Sequence, residues 1–358
     1  MTAGTEPLLS VRDLKTYFYP DEGIVRAVDG VTFDIFPGKT LGVVGESGCG
    51  KSVTARSILG IVEHPGRTIA GEIILRHPEG RDDADLEAAL GRARELDLVR
   101  LDSESRQMRM IRGGVISLIF QEPMTSFSPV HTVGNQIIEV IRYHRRVSKR
   151  EARDRAIELL RQVGIPRAEA RLDEYSFQLS GGLRQRAMIA MALSCDPLLL
   201  VADEPTTALD VTTQAQILDL LRELQEQNGM AIMLITHNLG VVAEMADEVA
   251  VMYLGKVVEY GAVDDIFHNA KHPYTRALLE SIPSIRAEPR VRLPTISGSI
   301  PHPYNRPSGC PFHPRCSRTI AGTCERAEPV LTKVGTDHLA SCFLYPGSEV
   351  PLPAESRT

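Results

Sequence analysis

Gly45-Glu46-Ser47-Gly48-Cys49-Gly50-Lys51-Ser52 is the stretch on which the reading of this chain turns. It fits the pattern G-x-x-x-x-G-K-[ST], follows the apolar run LGVV (41–44) and opens a helical pattern from Lys51 to about Val62. The glycines let successive backbone N–H groups turn inward, and the helix N-terminus adds the positive end of its dipole. The loop therefore predicts a cradle for phosphates. In such a cradle Lys51 reaches the terminal phosphates and the Ser52 hydroxyl ligates Mg²⁺. A buried strand before the loop and a helix after it are what separate this reading from an ordinary Gly-rich turn.

Two downstream strings belong with it. LLLVADE (198–204) reads as a buried strand ending in two carboxylates. In a doubly wound sheet, the C-terminal tip of a central strand lies beside the phosphate loop. Asp203 is then positioned to hold Mg²⁺ and Glu204 to polarise an attacking water as general base. Leu179-Ser180-Gly181-Gly182-Leu183-Arg184-Gln185-Arg186 places Ser-Gly-Gly at a helix start, a second anion site made from free N–H groups. Alone, that tripeptide is a helix cap; some 20 residues before the acidic strand end it becomes part of a set.

The rest of the chain supplies the frame. Residues 8–44 alternate apolar and polar positions in short β-rich runs, as antiparallel strands do. VISLIF (115–120) reads as another strand, and 132–178 as helices. From 181 onward helices and strands alternate: helix 181–195, strand 198–202, helix 212–227, strand 230–236, then a short helix and two strands to Tyr260. Such alternation implies a parallel sheet covered on both faces. Residues 79–105 carry nine acids against four bases and are expected to be a surface excursion. Residues 142–171 carry ten Lys and Arg against four acids, read as a solvated helix face or as a lobe near anionic lipid headgroups.

Composition excludes some classes. The formal net charge of −6 argues against a general nucleic-acid binder. No run of 18 apolar residues suggests a membrane span, and MTAGTEPLLS lacks the pattern of a secretory signal, so a cytoplasmic chain is expected.

With these motifs in order, residues 8–283 resemble an ATP-binding-cassette (ABC) nucleotide-binding domain. The resemblance implies an α/β fold, a P-loop NTPase with a RecA-like parallel core, an antiparallel β subdomain and a helical subdomain at about 130–180. It implies ATP and Mg²⁺ at Gly45 to Ser52 with Val53, and a Q-loop glutamine at Gln121 that contacts Mg²⁺ or the lytic water. It further implies a D-loop at Ala208-Leu209-Asp210, a switch histidine at His237 and an adenine-stacking aromatic at Phe18, with Tyr17 and Tyr19 in competition. Cassettes of this family pair head to tail, so Ser180, Gly181 and Gly182 would serve an ATP bound by a partner chain. Leu183 departs from the family's frequent Gln or Met. DNA-repair ABC ATPases carry a long coiled coil and ribosome-associated ones two cassettes; neither pattern is present in this sequence.

Past about residue 283 prolines and glycines thicken and periodicity fades, which predicts a small second domain over 284–350. His272-Pro-Tyr-Thr-Arg-Ala-Leu-Leu-Glu-Ser-Ile-Pro283 and Gly309-Cys-Pro-Phe-His-Pro-Arg-Cys316 resemble the extension of oligopeptide- and dipeptide-importer ATPases. Nickel and some glycoside importers share that extension. The resemblance implies a second ATPase, two permeases, an external peptide-binding protein and peripheral attachment to the membrane, with no nucleic-acid partner. Cys310, Cys316, Cys324 and Cys342 are spaced C-x5-C-x7-C-x17-C. In a reducing compartment disulfides are disfavoured, and the gaps are wider than paired zinc knuckles, so a 4Fe–4S cluster is expected, with zinc or unliganded thiols as the alternatives. His302, His313 and His338 are expected to be surface residues rather than ligands.

Overall fold

The computed structural model describes residues 6–77, 87, 89–91, 94–121, 126–207, 209–282 and 296–348. Its centre is an eight-stranded sheet built around β3 (Thr40–Val44), flanked in parallel by β8 (Ala231–Ile235) and β9 (Glu248–Tyr253). β7 (Leu199–Asp203) pairs in parallel with β8, and β6 (Ile116–Ile119) with β7 at the edge. Every residue of β3, β7 and β8 is buried, as expected of parallel strands covered on both faces.

A second, antiparallel sheet runs in the order β2 (Val25–Ile35), β1 (Leu9–Phe18), β4 (Gly66–Arg76) and β5 (Glu95–Asp97). Leu9, Val11, Leu14, Val28 and Val31 from this sheet share one core with Leu41 and Val43 of the central strand and Ala55 and Ile58 of α1 (Lys51–Ile58). Helix α1 is thus clamped between the sheets with its first turn at the phosphate loop. It stops earlier than its apolar pattern suggests. Gly60 turns left-handed at φ +61°, and the Ile61 N–H bonds back to the Arg56 carbonyl at 2.9 Å, which closes the helix end.

On the other face of the sheet lies a helical lobe: α3 (Val133–His144), α4 (Lys149–Gln162), α5 (Ala168–Leu172) and α6 (Gly181–Ala192), following α2 (Arg106–Gly114). Ile137, Ile141, Leu159, Leu172 and Ile189 join Leu200, Ala202, Ile232 and Leu234 of the sheet in one core. Truncating such a leucine to alanine costs ~2–5 kcal/mol. Thr132 and Ser148 cap α3 and α4, the latter through a reciprocal box with Glu151. Half of the basic side chains of 142–171 are paired within the lobe: Arg145 and Arg155 with Asp196, Arg153 with Asp173, Arg161 with Glu169 and Arg171 with Glu174.

The chain continues through α7 (Val211–Asn228), α8 (Leu239–Met245), β10 (Lys256–Ala262), α9 (Val263–Asn269) and α10 (Pro273–Glu280). The C-terminal stretch does not stand off from this body. Its β12 (His338–Ala340) pairs antiparallel with β10, and β11 (Thr332–Gly335) completes the sheet edge. Cys310, Phe312 and Cys324 share a core with Val44, Tyr253 and Tyr274. His338 corrects the sequence reading: it is buried, with Nε2 2.7 Å from Glu259 Oε1, where a surface residue was expected. Residues 95–104 of the acidic stretch form β5, a single 3-10 turn and a loop; residues 79–86, 88, 92 and 93 lie outside the described residues, as do Ala208 and the boundary at 283/284. Among the described residues no helix is long and apolar enough to cross a membrane.

Candidate active site

The phosphate loop links β3 to α1, and its tight path depends on glycine at position 50. Gly50 has φ +103°, and a Cβ there would approach the Ala27 carbonyl oxygen to 2.2 Å. Ser47 and Gly48 are exposed at the loop crest, Cys49 is buried beneath it, and Val53 is half-buried in the first turn of α1. Lys51 is buried and folded back over the loop, donating to the Gly45 carbonyl at 2.8 Å and the Glu46 carbonyl at 3.2 Å. Those backbone oxygens hold the ammonium over the ring of loop N–H groups, a place for a polyanion.

Parallel pairing of β7 with β8, and of β8 with β3, brings the end of β7 to the loop. Ser52 Oγ donates to Asp203 Oδ1 at 3.1 Å, across 151 residues of sequence. Burial raises the Asp203 carboxyl above its ordinary range; the Ser52 bond opposes this, while the Glu204 charge adds to it. A hydroxyl and a carboxylate set side by side next to Lys51 form a fitting oxygen donor set for Mg²⁺.

Glu204 sits one residue on, in the left-handed region at φ +49°, where a non-glycine residue is strained. That turn aims its carboxylate out of the sheet and toward three partners. Gln121 Nε2 donates to Oε2 at 3.2 Å, Thr207 Oγ1 donates to the same oxygen at 2.8 Å, and His237 Nδ1 lies 3.1 Å from Oε1. Burial pushes this carboxyl up, but the His237 and Thr207 bonds and the His237 and Lys51 charges prevail and hold it below the ordinary Glu range. The group is therefore a carboxylate at neutral pH, oriented from both sides and mostly shielded from solvent. It is equipped to take a proton from a water. Thr207 was not anticipated; its spacing three residues after Glu204 was the available signal.

The remaining motifs form a second surface. Ser180 caps α6, accepting from the Leu183 N–H at 3.4 Å, and Asp210 caps α7, accepting from Thr213 N at 3.0 Å and Thr213 Oγ1 at 2.7 Å. A Cβ on Gly182 would lie 3.1 Å from the Thr213 methyl, so the two helix starts adjoin. Gly181 faces open space. Buried Gln185, quoted above but given no role, donates to the Pro205 carbonyl at 2.5 Å and so ties this surface to the residue after Glu204.

Phe18 stands apart, at the end of β1 with its ring against Gly66. Its rivals are engaged elsewhere. The Tyr17 hydroxyl donates to Asp29 at 2.6 Å, which with burial pushes its pKa up to about 12, and Tyr19 lies under the Arg67 guanidinium. Two cavities flank the phosphate loop. One of about 470 Å³ is lined by Ile24, Ala27, Gly48, Gly255, Tyr304 and Arg306; another of about 510 Å³ by Gly45, Glu46, Ser47, His237 and Asn238.

All four C-terminal cysteines are free thiols. Two of the sulfurs accept a backbone N–H: Cys316 from Arg318 and Cys324 from Ile320, both at 3.4 Å. Burial, with the other three thiols adding, pushes Cys310 up to about 12. Among the described residues no three His, Cys, Asp or Glu side chains are arranged around a single metal ion.

Comparison with known proteins bears on all of this. The ABC transporter family model matches residues 28–207, and the oligopeptide/dipeptide transporter C-terminal region matches 258–324. The probable peptide ABC transporter ATP-binding protein y4tR of Sinorhizobium fredii is 50% identical over 94% of this chain and 94% of its own. The oligopeptide transport ATP-binding protein AppD of Bacillus subtilis is 50% identical over 94% of this chain and 97% of its own. The dipeptide transport ATP-binding protein DppD of Escherichia coli is 44% identical over 97% and 99%. Among solved structures, the dimeric post-hydrolysis ATP-binding cassette MJ0796 bound to ADP and Pi superposes with a TM-score of 0.59 at 25% identity, covering 71% of this chain and 98% of that one. Phosphate loop, acidic strand end and C-terminal extension thus lie on one polypeptide that belongs to the ABC transporter family, as an ATP-binding protein of its oligopeptide/dipeptide transporter branch.

Proposed function

We propose that this chain is the ATP-hydrolysing subunit that energises import of oligopeptides or dipeptides through a membrane transporter. The observation that carries the chemistry is the convergence of Gln121, Thr207 and His237 on the Glu204 carboxylate, one residue from the Ser52–Asp203 pair. In this reading Gly45 to Val53 hold the ATP phosphates, with Lys51 on the terminal ones. Ser52 and Asp203 would hold Mg²⁺, with Gln121 as the further group that would contact metal or water. Mg²⁺ would supply neutralisation of phosphate charge. Glu204 takes the proton of the attacking water and His237 stabilises the γ-phosphate side. Phe18 is the surface for the adenine. Ser180, Gly181, Gly182 and Asp210 serve the nucleotide of a partner cassette, so closure of two cassettes requires ATP and hydrolysis releases it.

The division of labour is a cassette at 8–283, with its helical part at about 130–180, and an extension at 284–350. The partners are a second ATPase subunit, two permeases and an extracytoplasmic peptide-binding protein, with this chain peripheral on the cytoplasmic face of the membrane and no nucleic-acid partner. Lys51→Ala is the direct test of the nucleotide reading: it is expected to weaken ATP binding in equilibrium titration while leaving the fold intact. Unchanged affinity would contradict it.

Cys310, Cys316, Cys324 and Cys342 are the thiols that would hold a 4Fe–4S cluster. The backbone N–H groups that Arg318 and Ile320 donate to Cys316 and Cys324 suit thiolates, and a cluster would spread its ligands over separate irons. Zinc, which would sit about 2.3 Å from each sulfur, is the alternative. Such a cluster supplies a cross-link and a redox centre, and no step of ATP hydrolysis uses it. Anaerobically purified protein is expected to be brown, with broad absorption near about 400 nm. Stoichiometric zinc without iron would refute the cluster.

A further inference from the structure

The two C-terminal strings that mark this branch both end on one residue of the phosphate loop. Arg315, immediately before Cys316, is buried, and its guanidinium grips the Glu46 carboxylate with both arms, Nη1 at 2.6 Å and Nη2 at 2.9 Å. Its Nε donates to the Ser297 carbonyl at 3.1 Å and its face lies 5.8 Å from the Tyr253 ring centre, so the side chain is held on every side. From the other extension string, the fully buried Tyr274 offers its hydroxyl oxygen to the Glu46 backbone N–H at 2.8 Å. Tyr274 packs against Tyr253 and Phe312, with ring centres 4.7 and 5.3 Å away, and Phe312 lies two residues from Cys310. Glu46 also lines the cavity it shares with Ser47 and His237, and its carbonyl accepts from Lys51.

A carboxylate in a loop built to hold polyphosphate is a liability unless it is neutralised, because like charges at close range in a partly buried site repel strongly. A bidentate guanidinium removes that charge and fixes the side chain's direction at once. We propose that Arg315 and Tyr274 are positioning residues for the phosphate loop, through which the C-terminal extension sets the affinity of this chain for ATP. Arg315 cancels and immobilises the Glu46 carboxylate; Tyr274 fixes the Glu46 backbone. The extension, by this assignment, is part of the nucleotide site rather than an appendage to it.

The test is equilibrium binding of a fluorescent ATP analogue and its ADP counterpart to the full chain. Arg315→Ala is expected to weaken ATP binding by about tenfold or more, the effect of one unneutralised charge close to the phosphates, and to weaken ADP binding less. The loss should grow at low ionic strength, where screening fades. Adding Glu46→Gln to Arg315→Ala removes the exposed carboxylate and is expected to restore most of the affinity, which a variant damaged only in packing would not regain. Arg315→Met, which keeps the stem volume, replaces the alanine variant in the same comparison if thermal denaturation shows that the latter does not fold. Tyr274→Phe keeps the aromatic packing and strands the Glu46 N–H, so ATP and ADP affinity should fall together. An Arg315→Ala chain that binds ATP within twofold of the parent overturns the proposal, as does a double variant no better than the single one. Unchanged affinity in Tyr274→Phe overturns the two-sided grip. The proposal rests on the nucleotide reading, and failure of the parental chain to bind the analogue would refute that reading instead.

Discussion

Glu204→Gln isolates the chemical step. The substitution is nearly isosteric and leaves Lys51, Ser52 and Asp203 untouched, so the groups assigned to phosphate and metal remain. It removes the only atom pair that both accepts from Gln121, Thr207 and His237 and is able to accept a proton from water. Loss of a general base costs about 100- to 10,000-fold in rate, or about 3–5 kcal/mol of barrier. Turnover should therefore fall by that factor in a steady-state phosphate-release assay, while the ATP dissociation constant stays within about threefold of the parent. The pH dependence has a definite sign. Because the folded-state carboxyl is held below its ordinary value of 4.5, the base stays ionised through neutral pH and is lost only as pH falls below that value. A Gln variant that retains more than about a tenth of parental turnover, with ATP bound as before, would refute the assignment.

Three further outcomes follow from other parts of the structure. Ser180→Arg, at the exposed start of α6, should leave ATP binding by the isolated chain intact and block ATP-dependent pairing of cassettes; loss of binding in the folded variant would contradict the two-surface arrangement. Glu259→Ala strips the acceptor from the Lys271 and His272 N–H groups and from His338, at 2.6, 2.8 and 2.7 Å. With each orphaned buried donor worth ~1–3 kcal/mol, the denaturation midpoint should drop clearly, and an unchanged midpoint would show that this hub stabilises nothing. Burial raises the Glu259 carboxyl, but its donors outweigh this and hold it below 4.5; the stability it gives is present above that value and lost as pH falls through the depressed one, to be read as acid-shifted unfolding in the parent that is blunted in the variant.

The strand, loop and helix around the phosphate-loop string, and the strand that ends in Asp203, were legible because they are contiguous strings with a mechanism attached. The eight residues from Gly45 to Ser52 carry their own backbone requirement, and LLLVAD announces a buried strand whose end must reach them in a parallel sheet. The alternation of helices and strands after residue 181 was readable for the same reason, since period and length distinguish the two elements. What escaped the sequence is made of contacts between distant residues. Nothing local to Arg315 points to Glu46, 269 positions away, and nothing near His338 announces its burial against Glu259. The segments of the extension lack periodicity, so the sequence did not announce that β12, with only three residues, joins the edge of β10. Short edge strands leave almost no pattern in a sequence. Gln185 lies in the string that begins at Leu179 and Thr207 three residues past the acidic strand end, but their roles depend on the turn after Glu204, which no periodicity reports.

The account centres on ATP hydrolysis by this chain driving the movement of a peptide. The most direct measurement is uptake of a radiolabelled oligopeptide into proteoliposomes that hold the complete transporter, with the external binding protein supplied and ATP enclosed on the side of this subunit. Uptake is predicted to require ATP, to proceed with the parental chain and to stop with Glu204→Gln although ATP still binds. Peptide accumulation that continues unchanged with the Gln variant, or without ATP, would contradict it.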